Sequence, residues 1–150
     1  MRRRVRHGHK FFFIDTGIKR ALDRSLHSQL APSTSVYGEA FEHFLLLEII
    51  KISSYLRNDW RFSYYQTREG YEIDLVIERP RQPLLLVEIK SKTKMSEHDC
   101  AVLNRLGPQI DKKAECLLLC QDNLSQQIGN TRVRFWRDFV DDLVKNSPDI

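Results

Sequence analysis

The chain has 150 residues, of which 41% are hydrophobic and 29% are charged, and its formal net charge is +4. This length suits one domain with its own core, and the mild positive charge favours polyanionic partners without requiring them. No apolar run approaches the ~20 residues of a membrane span, and no signal-peptide core follows the basic start, so we expect a cytoplasmic protein without membrane contact. The three cysteines lack the second ligand pair of a zinc knuckle and are interpreted as ordinary buried thiols.

Residues 1–36 are interpreted as a basic N-terminal arm followed by a short strand and a helix. The segment Phe11–Ile14 predicts a strand or a buried extended piece, and a helix is expected over 18–26. Asp15 or Thr16 is expected to cap that helix, which we prefer to an aspartic-protease interpretation of Asp15-Thr16-Gly17. The arm is either a solvated tail or a phosphate-contacting segment, and its basic residues are Arg2, Arg3, Arg4, Arg6 and Lys10.

A long amphipathic helix is expected from Tyr37 to Leu56. At ~100° per residue, Phe41, Leu45 and Ile49 fall on one apolar stripe, and Glu42 lies at the edge of that stripe. A surface position is the alternative for Glu42, because glutamate is common on exposed helix faces.

Three strands should follow in a meander, and the third is apolar on both faces, which predicts a central position in the sheet. After Ser96 caps the next helix, Gly107-Pro108 is expected to end or interrupt it near Leu106. The order of elements predicts an α/β domain over residues 37–150, with a mixed central sheet flanked by helices. The remaining elements are expected as strands at 61–67, 71–77, 84–90 and 114–120, a loop at 123–130, a short edge strand at 133–135 and a helix at 138–145.

Three charged residues stand within the apolar second and third strands: Asp74, Glu88 and Lys90. Glu88 and Lys90 project on the same face, and a hairpin can set Asp74 beside Glu88 on a strand only ~4.8 Å away. Two carboxylates so close repel each other unless a cation lies between them, and oxygen ligands suit Mg²⁺ or Mn²⁺. The alternative is a pair of edge-exposed charges or a structural salt bridge between the acids and Lys90.

These motifs resemble the PD-(D/E)xK nuclease superfamily, with Glu72-Ile73-Asp74 and Glu88-Ile89-Lys90 as its metal motif. The resemblance implies a restriction-endonuclease-like core, with Asp74, Glu88 and the Ile89 carbonyl as metal ligands. It also implies Lys90 as the catalytic lysine and Glu42 as a catalytic carboxylate from the preceding helix.

A closer resemblance spans roughly Lys10 to Lys92. Lys10–Ile18, Gly38-x-x-x-Glu42, Tyr65–Arg68 and the two strand motifs are similar to the domain of unknown function 4143, which follows an AAA-type P-loop ATPase in prokaryotic proteins. No Gly-x-x-x-x-Gly-Lys-Ser/Thr occurs in this chain. The chain is therefore expected to be either part of a longer ATPase or a stand-alone relative without that module.

Two hypotheses for function follow from the sequence. The first is an Mg²⁺- or Mn²⁺-dependent endonuclease-like hydrolase that cleaves nucleic acid, with DNA as the expected substrate and Arg68, Lys92 and Lys94 as phosphate contacts. The second is a catalytically silent module of the same fold that binds nucleic acid or a protein partner and regulates an attached AAA-type ATPase.

Overall fold

A computed structural model describes residues 12–145, and these residues form a mixed α/β fold in which helices flank one six-stranded sheet. The basic residues of the predicted N-terminal arm, and Phe11, lie outside the described residues. The helices are α1 (Thr16–Leu22), α2 (Ser35–Tyr55), α3 (Glu97–Ile110) and α4 (Trp136–Lys145), and the strands are β1 (Arg61–Gln66), β2 (Glu72–Glu78), β3 (Leu85–Ile89), β4 (Glu115–Cys120), β5 (Gln126–Ile128) and β6 (Thr131–Phe135).

The strand order is β1-β2-β3-β4-β6-β5. β1, β2 and β3 form the predicted antiparallel meander, β4 pairs in parallel with β3, and β6 pairs in parallel with β4. Every residue of β3 is buried, as its apolar pattern on both faces predicts. The C-terminal ends of β3, β4 and β6 therefore lie at one edge of the sheet, together with the start of β2.

Two hydrophobic cores lie on opposite faces of the sheet. α2 and α4 cover one face, where Leu45 and Ile49 of α2 are fully buried against alternate residues of the strands. α3 covers the other face, with Leu103 fully buried against Leu86 and Leu118. Burial of large aliphatic side chains contributes roughly 1.5–3 kcal/mol each, so this layered packing fixes the positions of the strand ends.

The pairing of β1 with β2 contains a β-bulge at Asp74. Ser63 pairs with Val76 and Tyr65 pairs with Ile73, so one residue of β1 faces both Asp74 and Leu75. A bulge re-aims the side chains on the longer strand. Consistent with this, Ile73 packs in the core beneath α3, whereas Leu75 packs in the core beneath α2.

The N-terminal lead-in differs from the predicted strand. Phe12, Phe13 and Ile14 are exposed and belong to no strand. This segment lies against α2, where the buried side chain of His43 is hydrogen-bonded through Nε2 to the Phe13 carbonyl oxygen at 2.8 Å. A helix does follow, although it spans Thr16–Leu22 and not 18–26. Its cap is Asp15, as predicted, and Oδ1 of Asp15 accepts hydrogen bonds from the amides of Gly17 and Ile18.

The predicted stop at Gly107-Pro108 is wrong, because α3 continues to Ile110. Pro108 stands in the last turn, where the missing N–H removes one hydrogen bond close to the helix end. Gly107 suits the close approach of the helix to β4: a Cβ placed there would lie 2.4 Å from the Cys116 sulfur. Tertiary packing thus carries the helix through two residues that usually end one.

The segment after β4 was also predicted incorrectly. The expected loop over 123–130 contains β5, and β6, expected at an edge, lies inside the sheet between β4 and β5. Within β6, Arg134 pairs with Asp142 of α4 at 2.7 Å. Asn104 of α3 fixes the β5–β6 turn by accepting hydrogen bonds from the amide of Asn130 and the hydroxyl of Thr131.

The remaining bulk expectations concern membranes and thiols. No helix within residues 12–145 has the length and apolar character needed to cross a membrane. All three cysteines are free and buried, as predicted. Burial raises the pKa of each thiol, which makes them poor nucleophiles.

Candidate functional site

Asp74 joins β2 to β3 at the point where their backbone pairing stops. The last paired residues are Leu75 and Val87. Beyond this pair, a side chain replaces the backbone acceptor: Oδ2 of Asp74 accepts a hydrogen bond from the Ile89 N–H at 2.8 Å. Past the end of the β2–β3 ladder, the Asp74 carboxylate therefore provides the acceptor for the Ile89 amide.

Glu88 is the buried charged residue of this region. It lies in β3, its side chain is 8% exposed, and its Oε1 accepts a hydrogen bond from Lys90 Nζ at 2.6 Å. Its second oxygen, Oε2, is buried and has no hydrogen-bond partner among the described residues. A buried carboxylate oxygen without a partner is costly, so this atom marks a position where a cation or a donor would be favourable.

The environment of Glu88 disfavours its ionised form. Burial raises the pKa of Glu88 from 4.5 to about 7, and the charge of Asp74 acts in the same direction. Lys90 opposes this rise through its charge and its hydrogen bond, and Glu42 adds to it. Burial and the acidic neighbours raise the pKa of the Glu88 carboxyl, and the Lys90 ammonium limits that rise, so the pKa lies near neutral pH.

The pKa of Lys90 is raised. Burial alone would lower it, but the negative charges of Glu88, Asp74 and Glu42 together outweigh that effect. Lys90 therefore stays protonated at neutral pH and serves as a fixed positive charge.

Glu42 reaches this cluster from α2. Its charge acts on both Glu88 and Lys90, although α2 precedes the three strands of the meander in the chain. One turn earlier on the same helix face, Gly38 approaches the segment after β3, with its Cβ position 3.5 Å from Ser91 Oγ. The structure therefore brings together the four residues predicted to be catalytic.

The three predicted phosphate contacts lie beyond the same edge of the sheet but are not equivalent. Arg68 is exposed in the β1–β2 turn, and Lys94 is exposed in the loop before α3. Lys92 is already paired, because its Nζ lies 2.6 Å from Oδ1 of Asp99, whose side chain is only 6% exposed. Arg68 and Lys94 are thus the more accessible cations.

The donor set suits a hard divalent cation, although it is small. Among residues 12–145, no group of three or more His, Cys, Asp or Glu side chains is arranged to hold a metal. Asp74 and Glu88 supply carboxylate oxygens, and the unpartnered Oε2 of Glu88 has the chemistry of an Mg²⁺ or Mn²⁺ ligand. For Ile89, the structure places the backbone N–H in the site, and the ligand role of its carbonyl stays a prediction.

Two polar residues that the sequence did not single out meet at this edge. Gln121, directly after β4, donates a hydrogen bond from Nε2 to the Tyr37 hydroxyl at 2.8 Å. No local pattern points to this contact, because the two residues are 84 positions apart.

Comparison with known proteins gives one match. The family model described as "Domain of unknown function (DUF4143)" matches residues 37–138. No curated protein and no solved structure matches the chain.

Proposed function

We propose that this chain, which belongs to the family described as "Domain of unknown function (DUF4143)", is a metal-dependent hydrolase of nucleic-acid phosphodiesters, with DNA as its substrate. One observation carries the proposal: the buried Glu88 carboxylate lies beside Asp74 and Lys90 and keeps an oxygen without a hydrogen-bond partner among the described residues. The helix–meander–helix–strand order of residues 35–120 supports a restriction-endonuclease-like core.

Each residue takes a role that its environment supports. Asp74 and Glu88 would hold Mg²⁺ or Mn²⁺, with the Ile89 carbonyl as a further ligand. The bound ion supplies polarisation of a phosphoryl oxygen and a lower pKa for a coordinated water. Lys90, kept protonated by the surrounding acids, would stabilise charge developing on the phosphate and orient an attacking water. Glu42 adds a carboxylate from α2 to the same cluster.

Substrate binding is proposed to rest on charge. Arg68 and Lys94 are exposed near the site edge and would contact backbone phosphates, with Lys92 contributing if it leaves Asp99. Phosphate contacts give binding that weakens steeply with salt and carries little base readout.

Cleavage of supercoiled plasmid tests this function. Wild type should nick the plasmid with Mg²⁺ or Mn²⁺ and stop when EDTA is added, and Asp74→Ala and Lys90→Ala should lose the activity. Glu115→Gln is the matched control, because Glu115 pairs with Arg79 at 3.0 Å at the opposite end of the sheet. Equal cleavage by wild type and the Asp74 and Lys90 variants would reveal a contaminating nuclease and remove the proposal.

The ion pair that Lys90 and Glu88 form without a metal favours a second candidate function. Lys90 already pairs with Oε1 of Glu88, and Asp74 already accepts the Ile89 amide, so each carboxylate has one protein partner without a metal. We therefore keep the alternative of a silent module that binds nucleic acid or a protein and regulates an AAA-type ATPase attached to it. Salt-sensitive DNA binding without nicking under any metal would favour this alternative.

A further inference from the structure

We propose that Tyr37 and Gln121 are positioning residues of the candidate site, and that their hydrogen bond sets where α2 presents Glu42 to Glu88 and Lys90. This inference rests on the proposed function. It assigns a role to two residues that lie outside the acidic cluster and outside the Glu88-Ile89-Lys90 motif.

The first observation is the way Gln121 is held. The parallel pairing of β3 with β4 continues past the strand ends, since Lys90 N–H donates to Leu119 O and Gln121 N–H donates to Lys92 O, each at 2.9 Å. The backbone of Gln121 is therefore fixed to the segment that follows Lys90. Its side chain then reaches across to α2.

The second observation is the way Tyr37 is held. It stands in the first turn of α2, where its N–H donates to the side chain of the N-cap Thr34 at 3.2 Å. Its hydroxyl accepts the Gln121 amide at 2.8 Å, and both side chains are half-buried. Tyr37 thus connects the first turn of α2 to its N-cap through the backbone and to the residue after β4 through the side chain.

The third observation is the short distance along α2 from this contact to Glu42. Glu42 lies five positions after Tyr37, which is ~7.5 Å along a helix axis. Gly38, between them, faces Ser91 at the exit of β3. Release of the Tyr37–Gln121 bond therefore removes the polar tie of the first turn of α2, about one turn before Glu42, while buried Phe41, Leu45 and Ile49 keep the body of the helix packed on the sheet.

A small shift of Glu42 is expected to affect the reaction rate more than the stability of the fold. One hydrogen bond between neutral groups contributes only modestly to stability, whereas a misplacement of about 1 Å can reduce a catalytic rate ~100-fold. The two residues are not expected to contact the substrate, so affinity for DNA should not change.

The test is a double-mutant cycle with Tyr37→Phe, Gln121→Leu and the double variant. Each is assayed for plasmid cleavage, for DNA affinity by fluorescence anisotropy and for Mn²⁺ affinity by calorimetry. We expect each single variant to lower kcat about tenfold at unchanged KM and to weaken Mn²⁺ binding several-fold, and the double variant to lose no more than either single one. Tyr55→Phe, at the exposed far end of α2, is the matched control.

The outcomes separate this inference from the proposed function. Wild-type rates and Mn²⁺ affinity in both single variants, or fully additive losses in the double variant, would overturn the positioning role and leave the hydrolase proposal intact. A wild type that binds Mn²⁺ but does not cleave, with weaker Mn²⁺ binding in the variants, would remove the hydrolase and support the positioning role. No cleavage together with equal or absent Mn²⁺ binding throughout would overturn both.

Discussion

Lys90 neutralises Glu88 from two residues away on the same strand, with Nζ 2.6 Å from Oε1, and the two side chains differ sharply in exposure at 35% and 8%. The pair combines a buried acid with a base that reaches solvent. Removing the acid and removing the base should therefore have different consequences, and the two variants give separate predictions.

Lys90→Met should destabilise the fold by about 2 kcal/mol at pH 8, because it leaves the buried Glu88 carboxylate without its counter-ion. The loss should shrink at pH 5, where Glu88 takes up a proton. Urea denaturation at both pH values measures the difference. Lys51→Met is the control, since Lys51 pairs with Glu48 at 3.8 Å on an exposed helix face and should contribute under about 1 kcal/mol. Equal losses in the two variants would show that the Lys90 pair is an ordinary surface contact.

Glu88→Gln should change the pH dependence of stability. An acid whose pKa is higher in the folded state, here about 7 against 4.5, binds more protons when folded. The free energy of unfolding then falls as pH rises from about 4.5 to 7 and levels off above that range. In the variant this slope should be absent, so relative to wild type it should gain on the order of 3 kcal/mol between pH 4.5 and 8. Parallel stability profiles for the two proteins would contradict the shifted pKa.

Asp74→Asn should separate the structural role of Asp74 from its proposed metal role. An amide oxygen can still accept the Ile89 N–H, so stability should fall by under about 1 kcal/mol. Loss of the negative charge should weaken Mn²⁺ binding at least tenfold by calorimetry. Asp142→Asn, which removes the carboxylate paired with Arg134, is the control and should bind Mn²⁺ as wild type does. Unchanged Mn²⁺ affinity in Asp74→Asn would exclude Asp74 as a ligand.

Gly107→Ala should destabilise the fold by about 1–3 kcal/mol, although alanine is the better helix former. The added Cβ would lie 2.4 Å from the sulfur of Cys116, a buried atom with little room to move. Cys116→Ala in the same chain removes that sulfur and should recover most of the loss, as thermal or urea unfolding would record. A stabilising Gly107→Ala would mean that α3 can shift away from β4 without penalty.

The sequence placed most elements within a few residues, because apolar periodicity and turn residues act locally. The residues Leu84–Val87 are apolar on both faces of the strand, which correctly predicted a central strand. The stripe of Phe41, Leu45 and Ile49 correctly predicted the buried face of α2. The failures share a cause. Local preferences predict a helix end at Gly107-Pro108 and a loop over 123–130. The packing of α3, β4 and β5 overrides these preferences, and that packing joins residues far apart in the chain.

The candidate site divides in the same way. Asp74, Glu88, Lys90 and Glu42 could be selected from the sequence, because charged groups within apolar strands and at the edge of an apolar stripe are conspicuous. Together with Lys10–Ile18, Gly38 and Tyr65–Arg68, they also suggested the family whose model matches residues 37–138. The bulge that re-aims Asp74, the unpartnered Oε2 of Glu88 and the contact of Gln121 with Tyr37 were decided only by tertiary structure. Each depends on strand register or on distant segments meeting at one sheet edge, and neither quantity is encoded in the spacing of neighbouring residues.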